Sequence, residues 1–188
     1  NSMKIVKVAH HCCIRVQKQA TALLDKGHEV HLIGNRLPVE PEFTSSSHFG
    51  TVSQLREALR LHKDADIIHV HNEPSWMVMV AREILPEIPL VLDVHDAMIF
   101  RSTDVKHASA EERLAFDWAD GLVFVGDACK KIIDTKIVFR CQHFIIYYPY
   151  WTLNTNIILN YVLSDSYSVK TADNPIETRI YAIISSLF

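Results

Sequence analysis

Through about residue 135 the chain alternates short apolar runs with longer stretches in which apolar positions recur every three or four residues. Residues 5–9, "IVKVA", form a run rich in β-branched side chains. The segment that follows places Val16, Ala20, Leu23 and Leu24 on one helical face and is stopped by Gly27. Residues 29–33 make a second strand, and residues 34–50 a long polar loop with Pro38, Pro41 and a run of serines. Thr51 with Gln54 has the form of a capping box, opening a helix with Leu55, Ala58, Leu59 and His62 on one face. Residues 66–71 read as a third strand, and Pro74 with Ser75 starts an apolar helix running to about Leu85. Pro89 introduces a fourth strand at 90–95. Ser109 and Glu112 suggest another capping box, for a helix packing Leu114 and Trp118 inward; residues 121–125 form a fifth strand, and Asp127 caps a short helix ending near Ile133.

Strands alternating with helices, in runs too uniformly apolar for a sheet with one wet face, predict a parallel sheet covered on both sides. The expected class is α/β, a doubly wound, Rossmann-like sheet over residues 3–135. Residues 136–188 are different. All six tyrosines lie there, whereas all five glycines lie before residue 127, so the tail lacks turn and helix-stop chemistry. "HFIIYYPYW" within it suits a sixth strand. The rest reads either as a terminal subdomain or as a truncated or frame-shifted continuation of a longer gene.

Composition narrows the partners. At 48% apolar residues and a net charge of −3, the chain has no basic footprint for nucleic acid. No apolar run reaches the roughly 18–20 residues of a membrane span, and Lys7, His10 and His11 interrupt any secretory signal. Cys12, Cys13, Cys129 and Cys141 show no CxxC spacing and read as reduced thiols of a cytoplasmic protein. Ten of the eleven histidines precede residue 136, so metal binding has to be weighed.

In an open parallel sheet, ligands sit outside the carboxyl ends of the strands. The expected occupants are His10 and His11 after the first strand, Asn35 and Arg36 after the second, His71, Asn72 and Glu73 after the third, His95 and Asp96 after the fourth, and Gly126 and Asp127 after the fifth. A single strand-end histidine is usually a structural residue with a local partner; their joint placement on one edge describes a site. His69, two residues deeper than His71, reads as a core histidine bonded locally.

"DADIIHVHNEPSW", "VLDVHDA" and "ADGLVFVG" together resemble the N-terminal half of GT-B-fold glycosyltransferases of the family-4 type, over about residues 3–133. The resemblance implies two Rossmann-like domains facing across a cleft, the N-terminal one shaping the acceptor site and the C-terminal one binding a nucleotide-sugar donor, a co-substrate; no metal or other cofactor is implied. His95 then matches the histidine that reaches the transferred sugar, with Asp96 beside it as the other catalytic candidate, and His71, Asn72 and Glu73 line the acceptor side. Gly126 joins the substrate-binding set. Where the family usually has a glycine-bearing loop after the first strand, this chain has "HHCCIR", and His10, His11 and Arg15 offer charge instead. No second Rossmann domain is legible downstream, so this chain alone is expected to be inactive.

Two other classes fit part of the pattern. A metal-dependent hydrolase would draw on His69, His71, His95 and Asp96, since histidines with a carboxylate suit Zn²⁺, although Asp66 and Asp93 fall inside predicted strands and no further motif completes a ligand set. A non-catalytic sugar- or nucleotide-binding module would use the same edge. Cys12 and Cys13 stand near a helix N-terminus, which lowers a thiol pKa, but the sequence assigns them no base, and they read as small packing residues.

Overall fold

The computed structural model describes residues 2–38, 43–72, 74–95, 105–125 and 144–148. Their elements run β1 (Lys4–His11), α1 (Ile14–Asp25), β2 (Glu29–Arg36), β3 (Ser45–His48), α2 (Val52–Arg60), β4 (Ile67–His71), α3 (Trp76–Ile84), β5 (Leu90–Val94), α4 (Val105–Trp118), β6 (Gly121–Val125) and β7 (Phe144–Tyr148). The strands form one sheet in the order β3-β2-β1-β4-β5-β6-β7, and each neighbouring pair is parallel. The chain builds outward from β1 in one direction and from β4 in the other. The seam between β1 and β4 is therefore the switch point of the sheet.

Side-chain alternation divides the core in two. Val6, Val8, Ile68, Val70, Leu90, Leu92, Leu122 and Phe124 face α2, α3 and α4. Ile5, Val30, Ile67, Val91 and Val123 face α1 through Ala20 and Leu23, and Ala9 and Leu32 extend that layer to Val16 and Cys12. The predicted doubly wound α/β sheet is the observed one, with "FIIYY" as β7.

Helix ends follow local chemistry. Gly27 ends α1 at φ +81, letting the Gly27 and His28 amides donate to the Leu24 and Leu23 carbonyls. Thr51 Oγ1 accepts from the Gln54 amide at 3.2 Å while Gln54 Oε1 accepts from the Thr51 amide at 3.1 Å, the expected capping box. The start of α3 is served from a distance, its Trp76 amide donating to Glu111 Oε1 of α4 at 3.1 Å.

Three expectations need correction. The loop predicted at 34–50 contains the end of β2 and all of β3, whose sequence Ser-Ser-Ser-His has no apolar residue; an edge strand exposed to water needs backbone pairing only. α4 spans Val105–Trp118, so Ser109 and Glu112 lie inside the helix and not at its start. Its inward stripe is Glu112, Ala115, Phe116 and Ala119, leaving Leu114 and Trp118 48% and 43% exposed. Phe116 sets this phase by packing edge-on against Phe124, with ring centroids 6.3 Å apart.

Candidate functional site

The α1-facing side of the sheet carries charge in its interior. Strand register sets Lys7 of β1 opposite His69 of β4, and His71 opposite Asp93 of β5. Alternation turns all four toward α1, where Gln19 lies on the stripe of Val16, Ala20 and Leu23. Lys7 is fully buried, and its Nζ lies 2.9 Å from Gln19 Oε1, 3.0 Å from His69 Nδ1 and 3.3 Å from His71 Nε2. An ammonium has three protons to donate and here meets three acceptors. Gln19 in turn donates to Asp93 Oδ2 at 2.8 Å. Burial nevertheless pulls the Lys7 pKa down to about 7 against the raising effect of Asp93, and it holds His69 and His71 well below the ordinary imidazole range.

From this interior a chain of hydrogen bonds reaches the carboxyl edge. With Lys7 donating to His71 Nε2, the partners assign the His71 proton to Nδ1, which lies 2.9 Å from His95 Nε2. His95 then keeps its proton on Nδ1, 3.9 Å from Cys13 Sγ. Asn72, also buried, fixes the backbone here by accepting from the His95 amide at 2.7 Å. Behind the ring, Asp93 Oδ1 stands 3.5 Å from His95 Nε2 and 3.3 Å from Arg15 Nη2, with no closer hydrogen bond of its own.

The two cysteines are opposites. Burial pushes the Cys12 thiol up to about 11. His95, helped by the Val16 and Arg15 amides at the start of α1, pulls Cys13 down to about 7 despite its partial burial.

Of the residues singled out from sequence, the structure brings His71, Asn72, His95 and Arg15 together. His71 and Asn72 are buried beneath the rim, and Arg15 points inward at Asp93. His10 and His11 are the last residues of β1; Cys13 is the residue beyond them that reaches His95. Asn35 turns away, donating to the Phe49 carbonyl at 2.8 Å, and Arg36 is exposed. Glu73, Asp96, Gly126 and Asp127 lie outside the described residues. His69 is not bonded locally as expected: its partner Lys7 is 62 residues away. Lys7, Gln19 and Asp93 were missed, although each is a polar residue in a position whose neighbours two or four places along are buried and apolar.

Ligand atoms of His69, His71 and Asp93 lie within 4.8 Å of one another, a spacing that a metal ion requires. Lys7 Nζ holds His69 Nδ1 and His71 Nε2, while the other ring nitrogens, His69 Nε2 and His71 Nδ1, face Asp93 at 3.8 and 3.9 Å; Arg15 adds a second positive charge beside Asp93. A divalent cation at the nitrogens that face Asp93 would displace the His71–His95 hydrogen bond and meet like charge from Lys7 and Arg15, so the trio belongs to the hydrogen-bonded network.

The family model described as Glycosyltransferase Family 4 matches residues 14–147, which include Arg15, Gln19, His69, His71, Asn72, Asp93 and His95 of this network and leave out Lys7 and Cys13. The chain belongs to Glycosyltransferase Family 4. Among solved structures, sucrose-phosphate synthase from Thermosynechococcus elongatus superposes on this family member with a TM-score of 0.60 at 12% identity, over 77% of this chain and 48% of that one. HepE from Anabaena, solved in complex with UDP-glucose, gives 0.56 at 14% identity, over 77% and 43%. The likeness is one of fold, and the chain spans about half the length of either. No curated protein matches the sequence. Among the described residues, no helix of this Glycosyltransferase Family 4 chain is long and apolar enough to cross a membrane.

Proposed function

We propose that the chain forms the acceptor-side wall of a nucleotide-sugar-dependent glycosyltransferase, in which His95 reaches the transferred sugar and a second Rossmann-like domain holds the donor. The observation that carries this reading is the placement of His95. It follows β5 at the carboxyl edge, next to the switch point, with a partly exposed ring fixed by His71 and a backbone fixed by Asn72. A sugar is read through hydroxyls that need paired donors and acceptors, and an imidazole locked in one tautomer presents a defined one of these. His71 and Asn72 act from below as positioning residues, and Asp96 and Glu73 complete the rim on the family resemblance. The HepE complex with UDP-glucose supports a nucleotide-sugar donor.

The test joins this half to a donor-binding domain and measures transfer from a panel of nucleotide sugars. His95→Ala is expected to lower kcat at least about tenfold while raising KM less, the pattern of an interaction stronger in the transition state. A variant with unchanged kcat removes His95 from the reaction.

A further inference from the structure

Sequence alone offered Cys13 a helix N-terminus and no partner; the fold provides a hydrogen-bond donor to its sulfur, the Nδ1–H of His95. Cys13 is the N-cap of the twelve-residue helix α1, its sulfur lies 3.9 Å from His95 Nδ1, and it is only partly buried. The imidazole is backed on its other nitrogen by His71 at 2.9 Å and by the fully buried carboxylate of Asp93, whose Oδ1 has no hydrogen-bond partner and lies 3.5 Å from that nitrogen. With His95 Nε2 accepting from His71, the ring's one proton is on Nδ1 and aimed at the Cys13 sulfur, where it favours the thiolate over the thiol.

We propose that Cys13 is a covalent modification site: its thiolate, held against the His95 imidazole at the start of α1, attacks small soft electrophiles, hydroperoxides among them. With a hydroperoxide, the sulfur attacks the distal oxygen. An S–O bond forms as the O–O bond breaks, the sulfur is oxidised by two electrons to a sulfenic acid, and the departing alkoxide or hydroxide takes a proton from solvent. With iodoacetamide an S–C bond forms and iodide leaves with its electron pair. The charged and titratable groups around the pair are Lys7 of β1, Cys12 before α1, Arg15 in its first turn, His71 of β4 and Asp93 of β5. Cys12, one residue away but without the imidazole, is an internal control. This chemistry shares His95 with the proposed transfer site but needs neither a donor sugar nor a second domain.

The experiment treats the 188-residue protein with iodoacetamide from pH 5.5 to 9 and assigns alkylation to each of the four cysteines by peptide mass spectrometry. Cys13 is expected to react at least about tenfold faster than Cys12 at pH 7, because burial pushes the Cys12 thiol up to about 11 and leaves it almost wholly protonated there. Its rate should be half-maximal near pH 7, the value to which its surroundings pull it. In His95→Asn that midpoint should move up by about one pH unit or more and the rate at pH 7 should fall several-fold, while Cys12→Ser leaves the Cys13 rate unchanged. With hydrogen peroxide and a sulfenic-acid trap, the adduct should appear at Cys13. Equal rates at Cys12 and Cys13, a Cys13 midpoint near 8.5, an unshifted profile in folded His95→Asn, or no trapped adduct at Cys13 would each overturn the proposal. Should His95→Asn fail to fold by circular dichroism, the wild-type profile decides alone.

Discussion

At the scale of the residue, Lys7 organises the polar interior. A charge buried this completely persists because three acceptors surround it and Asp93 is near. Folded, it gives up its proton near pH 7; unfolded, near its ordinary 10.5. Between those values the unfolded chain holds more protons, so stability rises with pH. Cys13, at about 7 against an ordinary 9.0, adds in the same direction between those two values. His69 and His71 act on the acid side: their folded values lie well below 6.5, so stability is lost as the pH falls through 6.5 and the unfolded rings take up protons. Denaturant midpoints should therefore climb from about pH 6 to about 8.5. Lys7→Met should flatten the part above pH 7, leaving the smaller slope due to Cys13. A wild-type profile that is level across this range would mean that Lys7 is hydrated in the folded protein.

At the scale of the element, the end of the sheet opposite the site is tied by Arg82 of α3. Its guanidinium donates to the Trp118 carbonyl at 2.9 and 3.1 Å, to the Pro86 and Ile88 carbonyls at 3.0 and 3.2 Å, and to Asp120 at 2.6 Å. Asp120 in turn accepts the Leu90 amide at the start of β5. One side chain thus joins α3, the end of α4 and the entry to β5. Its ion pair is partly exposed and contributes little alone, but four carbonyl contacts lose their donor if it goes. Arg82→Ala should cost about 2 kcal/mol in chemical denaturation. Gly27 is a backbone case: nothing lies within 4 Å of an added Cβ, so Gly27→Ala should cost about 1 kcal/mol through its positive φ alone.

At the scale of the whole molecule, the proposed function makes the site one wall of a cleft. Transfer requires an acceptor and a donor to be oriented together, which accounts for as much as roughly 7–11 kcal/mol of barrier lowering. On the proposed reading this half orients one of the two, so nucleotide-sugar turnover by the 188-residue chain should be undetectable and should return when a donor-binding domain is fused or added in trans. Robust transfer without that domain would refute the division of labour.

The alternation of strand-length and helix-length apolar runs by itself determined the α/β class, the capping box at Thr51, the stop at Gly27 and the carboxyl edge on which His71 and His95 meet, because these signals are local and repeat with the period of their element. It did not reveal β3, whose four polar residues are held by pairing with β2, nor the phase of α4, which contact between Phe116 and Phe124 decides. Lys7 and Asp93 were visible as charges within apolar strands, yet their meaning was not. Only the register of β1 on β4 and of β4 on β5 brings Lys7 to His69 and His71 to Asp93, and only the docking of α1 sets Cys13 beside His95, 82 residues on. Contacts at that separation depend on which strands become neighbours, and this is settled by the packing of the whole sheet.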